Sequence, residues 1–180
     1  FLIGPGLNIN QYSINKIKSL FKTNKNIVLD AGAISNFKGK LNTLKNIIYG
    51  KNAVITPHEG ELRSILPNLK GNCIDKALKA AYELNCIVVL KGATTVIASP
   101  DNKAIVNCAG AKWLATAGSG DVLAGIICGT LSNKMDSFLA SAFSVWMHSE
   151  IGNYLGPGLV AEDIPENINL IYKKLLKTKI

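Results

Sequence analysis

Apolar residues along this chain recur in two rhythms. Short, near-continuous runs occur at FLIG (1 to 4), NIVLD (26 to 30), AVIT (53 to 56), IVVLK (87 to 91), TVIAS (95 to 99) and AIVNC (104 to 108), and most have the pattern of strands covered on both faces. Between the first four, apolar positions return at helical spacing over roughly 11 to 23, 40 to 49, 58 to 66 and 72 to 85; in the last stretch Ile74, Ala77, Leu78, Ala81 and Leu84 share one face. Strand alternating with helix predicts an α/β fold, a three-layer α/β/α sandwich around a mostly parallel sheet with helices on both sides. After Cys108 the rhythm changes. Gly120 to Ser132 and Met135 to Leu155 read as long apolar helices and Ile164 to Leu176 as a third, with VAEDIPENI as a loop interrupting them. No internal repeat, low-complexity segment or linker divides the chain, so residues 1–180 are expected to form a single domain.

Composition narrows the class. At 180 residues, one domain can bury roughly 70% of the surface its unfolded chain exposes. With 48% hydrophobic and 18% charged residues, the balance is that of a globular protein and not of a disordered one. No apolar run is long enough to span a membrane and no signal peptide is recognisable, which makes the cytoplasm the default expectation, with no membrane partner. Cys73, Cys86, Cys108 and Cys128 are scattered singly and read as buried free thiols, so no metal site is expected from them. The net charge of +8 raises nucleic acid as a partner, but Arg63 is the single arginine among twenty basic residues. Spread lysines without arginine or interleaved aromatics argue against a nucleic-acid site. The basic end, Lys173 to Lys179, reads as the favourable last turn of a helix.

In open parallel sheets ligands bind beyond the carboxyl ends of the strands, and here those ends carry the chemistry. TAGSGD (116 to 121) places Gly118 and Gly120 where a helix begins, so outward-pointing amides form an anion site suited to phosphate. Asp121 stands beside that site, placed to take a proton from a hydroxyl attacking the phosphate; the alternative is an acid that only complements the helix dipole. Lys91 closes an apolar strand and either reaches a phosphate as a point charge or snorkels into water. His58, with Glu59 and Glu61, opens a helix after Thr56 and Pro57; the glutamates serve as first-turn acids, while His58 at a strand's carboxyl end is a site candidate. His148, inside an apolar helix, reads as structural. Gly4-Pro5-Gly6 either lets a ligand approach the backbone or makes a simple turn.

Taken in order, IGPGL (3 to 7), VLDAGAI (28 to 34), ITPHEGEL (55 to 62), VVLKGATTVIASP (88 to 100) and LATAGSGDVLAGIICGTL (114 to 131) resemble the ADP-dependent NAD(P)H-hydrate dehydratases, a branch of the ribokinase-like superfamily. The resemblance implies a repair reaction in which hydrated NADH or NADPH is dehydrated while ADP is consumed to AMP and phosphate. It implies Asp121 as the base and the amides of Ala117, Gly118, Ser119 and Gly120 as the anion hole. It places the adenine nucleotide at Lys91, Gly92, Ala93, Thr94, Thr95 and Gly120, and the hydrated dinucleotide at Gly6, His58 and Asp121. Magnesium is expected on the nucleotide's phosphates. The resemblance adds no further partner, and a homo-oligomer stays an open option.

The chain departs from the family pattern at Asn8, Gly32, Glu59, Ala117 and Ser119, of which Gly32 removes a carboxylate near the expected site. It also opens without methionine on a core strand, where family members carry additional sequence, so an N-terminally incomplete domain is expected. Two other functions are compatible with the residues: a ribokinase-like kinase acting on a vitamin-like or sugar hydroxyl, and a truncated, inactive nucleotide-binding domain.

Overall fold

The computed structural model describes residues 1–177. Six strands form one sheet in chain order: β1 (Leu2–Ile3), β2 (Ile27–Leu29), β3 (Ala53–Ile55), β4 (Ile87–Leu90), β5 (Thr95–Ala98) and β6 (Ala104–Asn107). β1 to β4 pair in parallel, whereas β4 with β5 and β5 with β6 pair antiparallel. Connection length decides the switch. Only Lys91 to Thr94 separate β4 from β5, enough for a hairpin but far short of a parallel crossover.

Strands laid side by side in chain order, with crossovers of one hand, put all their connecting helices on one face. α1 (Gln11–Leu20), α2 (Ala31–Ser35), α3 (Leu41–Ile48), α4 (Glu59–Ile65) and α5 (Cys73–Leu84) pack there against Ile27, Leu29, Ala53, Ile55, Val88 and Leu90. The alternate residues Val28, Val54, Ile87 and Val89 point the other way, onto α6 (Ser119–Ser132) and α7 (Ser137–Leu155). The period of two along each strand thus builds both inner surfaces of a three-layer sandwich. α8 (Asp163–Glu166) and α9 (Ile168–Lys177) pack outside α6 and α7 through Ile126, Met147, Ile151, Ile164 and Ile171. None of the helices described is long and apolar enough to cross a membrane.

Several expectations need correction. The stretch 164 to 176 is not one helix: it breaks at Asn167, whose side-chain amide donates to the Asp163 carbonyl at 2.8 Å, and VAEDIPENI holds α8 instead of being all loop. Pro165 fits inside the first turn of α8, where no backbone donor is required. α7 starts at Ser137 instead of Met135, because the Asp136 carboxylate caps it by accepting from the amides of Phe138 and Leu139 at 3.0 Å. α2, five residues long, was too short for periodicity to reveal. Of the four thiols Cys86 alone is buried, and burial pushes it up to about 12; Cys108, just after β6, is exposed. Lys174 and Lys177 do lie in the last turn of α9, while Lys179 lies outside the described residues.

Candidate functional site

Three parallel strands deliver one polar residue each at their carboxyl ends: Asp30 after β2, Thr56 after β3 and Lys91 after β4. Lys91 does not snorkel into water. Its Nζ lies 2.7 Å from Asp30 Oδ1, and the Thr56 hydroxyl donates to the same oxygen at 2.7 Å. Asp30 is 0% exposed and the Lys91 side chain 20%. The second carboxylate oxygen, Oδ2, is buried without a hydrogen-bond partner among the described residues. An unserved buried acceptor costs about 1–3 kcal/mol, and more when charged, so this arrangement is a poor device for stability alone.

α6 begins opposite the lysine. Gly118 takes φ +84° at the N-cap, a left-handed conformation that glycine adopts without strain, and it offers no side chain to cap the helix. The Gly120 and Asp121 amides find no acceptor among the described residues, leaving two donors at the positive end of the helix. A Cβ at position 120 would stand 3.2 Å from Lys91 Nζ, so glycine there admits the ammonium to the helix start. Asp121 is exposed, and its carboxylate makes no hydrogen bond or ion pair among the described residues.

Between these elements lies a cavity of about 560 Å³. Its wall brings together His58, Lys91, Gly92, Ala93, Thr95, Ser119 and Gly120 of the expected site residues. Gly6, Thr94, Ala117, Gly118 and Asp121 stand outside that wall, Asp121 one residue beyond it along α6. The Thr95 hydroxyl donates to the Gly92 carbonyl at 3.2 Å and closes the turn that follows Lys91. His58, not the glutamates alone, caps α4: its Nδ1 accepts from the amides of Gly60 at 3.0 Å and Glu61 at 3.3 Å, while the Glu61 carboxylate accepts from the His58 amide at 2.9 Å. Nδ1 is thereby an acceptor, which leaves the proton on Nε2 of a side chain that is 61% exposed.

His148 belongs to the same wall, which its place in an apolar helix did not reveal. Its Nε2 lies 3.1 Å from the Ser119 carbonyl and 3.3 Å from the Ser119 hydroxyl, tying α7 to the first turn of α6. Burial foremost, with the positive charge of Lys91 adding to it, lowers His148 from 6.5 to about 4, against the opposing pull of the Ser119 carbonyl. A neutral donor therefore holds the helix start at neutral pH. Asp30, Thr56 and His148 were not marked as site residues in the sequence. The available signal for Asp30 was the one used for Lys91, a charge closing an apolar strand.

The loop from Gly4 to Asn10 is held beside this site by Asn36, which is 2% exposed. Its side-chain amide donates to the carbonyls of Asn8 at 3.0 Å and Gly32 at 2.7 Å, and its Oδ1 accepts from the Asn10 amide at 2.9 Å. Position 32 has no room for a carboxylate, since any Cβ would collide with the Leu7 carbonyl. Gly6 faces open space.

Against known proteins, the family model described as NAD(P)H-hydrate dehydratase matches residues 1–168. An ADP-dependent (S)-NAD(P)H-hydrate dehydratase of Xanthomonas campestris is 31% identical over 97% of this chain and 61% of its own length. The crystal structure of the ADP/ATP-dependent NAD(P)H-hydrate dehydratase of Bacillus subtilis, co-crystallised with ATP and Mg2+, superposes with a TM-score of 0.83 at 27% identity, covering 96% of this chain and 65% of that one. A ribokinase-like superfamily protein of Enterococcus faecalis superposes with a TM-score of 0.79 at 26% identity, over 96% of this chain and 62% of that one. The chain therefore spans under two thirds of the length of each of these relatives, and the fold is ribokinase-like. Its ordered motifs, its sheet and a match running from its first residue to the start of α9 agree: this chain belongs to the NAD(P)H-hydrate dehydratase family.

Proposed function

We propose that the protein dehydrates hydrated NADH or NADPH with ADP as co-substrate, releasing NADH or NADPH, AMP and phosphate. The observation that carries the reading is the start of α6: two unpaired amides and the Lys91 ammonium stand at the edge of a cavity, next to an unpaired carboxylate. Phosphoryl transfer needs little more than such positioning and charge stabilisation. In this mechanism Lys91, Gly92, Ala93, Thr94, Thr95 and Gly120 hold the nucleotide, while Gly6, His58 and Asp121 hold the hydrated dinucleotide. Asp121 takes the proton of the ring hydroxyl as its oxygen attacks the terminal phosphorus of ADP and AMP departs. Amides from Ala117 to Gly120 hold the charge that develops on the phosphoryl oxygens. The ring then expels phosphate, a better leaving group than hydroxide, with loss of a proton from the adjacent carbon.

Magnesium fits this site only as a passenger. Among the described residues no three His, Cys, Asp or Glu side chains gather to cage a metal. A nucleotide-borne magnesium needs no such cage, because it keeps its waters and takes phosphate oxygens, whose charge it would neutralise. A single ribokinase-like domain, a cytoplasmic setting and the absence of nucleic-acid and membrane partners belong to the same reading.

Incubation with hydrated NADH, ADP and magnesium is expected to restore NADH absorbance. Replacing Asp121→Asn is expected to slow that recovery by about 10² to 10⁴. No recovery with the wild-type protein overturns the dehydratase, and an unchanged rate in the variant reduces Asp121 to a helix-dipole partner.

A further inference from the structure

We infer that Asp30 is a positioning residue that aims the Lys91 ammonium at the phosphoryl site, an inference that rests on the nucleotide role proposed above for Lys91. Lys91 leaves the end of β4, crosses over β3 and meets Asp30 beyond β2, 61 residues away in the chain. Such a reach opposes what a strand-end lysine does by default, which is to extend into water. Thr56, on the strand in between, donates to the same carboxylate oxygen that receives the ammonium. Both donors therefore converge on Oδ1, and Oδ2 is left buried and unserved. Leaving one buried oxygen unserved costs stability, so the arrangement is better suited to holding a cation in one place than to stabilising the fold.

That place is the start of α6. With Nζ on Asp30, the ammonium stands 3.2 Å from the position a Cβ would take at residue 120. A lysine charge beside a helix N-terminus is repelled by the dipole, and the fully buried carboxylate offsets that repulsion. An ammonium has three N–H donors, and Asp30 engages one of them. The rest are free for a phosphate oxygen, so the lysine bridges carboxylate and phosphate without leaving either. Neutralising Asp30 makes the pocket more positive, which does not weaken the resting attraction for ADP. It removes the aim of the cation at the transferring phosphoryl group, where a misplacement of about 1 Å costs roughly 10² in rate.

The test is kinetic and chemical. Asp30→Asn is expected to lower kcat for hydrated NADH about 10²-fold without raising KM for ADP. Adding Asp30→Asn to Lys91→Met is expected to cost nothing beyond Lys91→Met alone, the non-additivity of residues acting as one unit. Losses that multiply, or a wild-type kcat in Asp30→Asn, overturn the inference. Should Lys91→Met fail to fold because it leaves the buried Asp30 charge uncompensated, Thr56→Val replaces it: several-fold lower kcat with an unchanged KM for ADP is expected, and an unchanged kcat counts against the inference. Acylation of Lys91, followed by mass spectrometry of the intact protein's peptides, needs no turnover. Faster labelling in Asp30→Asn, with ADP protecting the wild type, supports the inference even if hydrated NADH is not consumed, a result that sinks the dehydratase reading alone. Equal labelling rates overturn the inference whatever the turnover.

Discussion

His148 sits in the apolar middle of α7 and yet forms part of the cavity wall, with its Nε2 on the Ser119 carbonyl. Unfolded, its imidazole titrates near 6.5; folded, burial and the charge of Lys91 lower it to about 4. Above pH 6.5 it is neutral in both states and stability is complete. As pH falls from there towards 4, the unfolded chain takes up a proton that the folded protein refuses, a loss on the order of 3 kcal/mol from this one residue. His148→Gln keeps an N–H donor for Ser119 and removes the titration. Urea midpoints at pH 7 and pH 5 are expected to differ less in that variant than in the wild type; equal differences would show that the acid sensitivity lies elsewhere. Reading His148 as structural was legible from its apolar neighbours. That the residue it supports is Ser119 was not, because 29 positions and two helices separate them.

At the scale of elements, Gly32 shows why a departure from a family pattern need not be a local loss. α2 begins right after β2, and the Leu7 carbonyl of the preceding loop lies where a side chain at 32 would start. Asn36 at the end of that same short helix then binds the carbonyls of Asn8 and Gly32 and the amide of Asn10. The missing carboxylate is thus part of a packing solution between loop and helix, while nothing in the structure explains Asn8, of which only the backbone carbonyl is bound. Gly32→Ala is expected to destabilise the protein by about 1–3 kcal/mol, since a single added carbon must displace backbone. Equilibrium unfolding in urea checks this, and a stability equal to wild type would mean that the loop moves aside freely. The cap of α4 carries a related lesson. His58 was legible as a residue at a strand's carboxyl end, but its Nδ1 is committed to the Gly60 and Glu61 amides, so capping occupies one nitrogen of the ring and leaves Nε2 as the one that the proposed function can use.

For the whole molecule, the site assembles where three parallel strands end and the first helix of the opposite layer begins. The cavity is walled by the turn after β4, by the 110–115 segment and by α6 and α7, with Lys91 and Gly120 both on its wall. Under the proposed function, ADP is expected to raise the melting temperature more than ATP at equal concentration, by mass action on the folded state. A larger shift with ATP favours a kinase of the same fold instead.

The sequence by itself determined the α/β class, the six strands and the glycine-flanked start of α6, because each is written in local periodicity or in turn chemistry spanning a few residues, whereas the antiparallel turn after Lys91 emerged only with the sheet. Tertiary structure alone decided which polar residues meet. Asp30, Thr56 and Lys91 come together only because β2, β3 and β4 are neighbours in parallel register, and His148 reaches Ser119 only because α6 and α7 pack against the same sheet face. Such pairings depend on distances between elements, which no pattern along the chain records. The unserved oxygen of Asp30, the feature that points to its task, exists only in that assembled geometry.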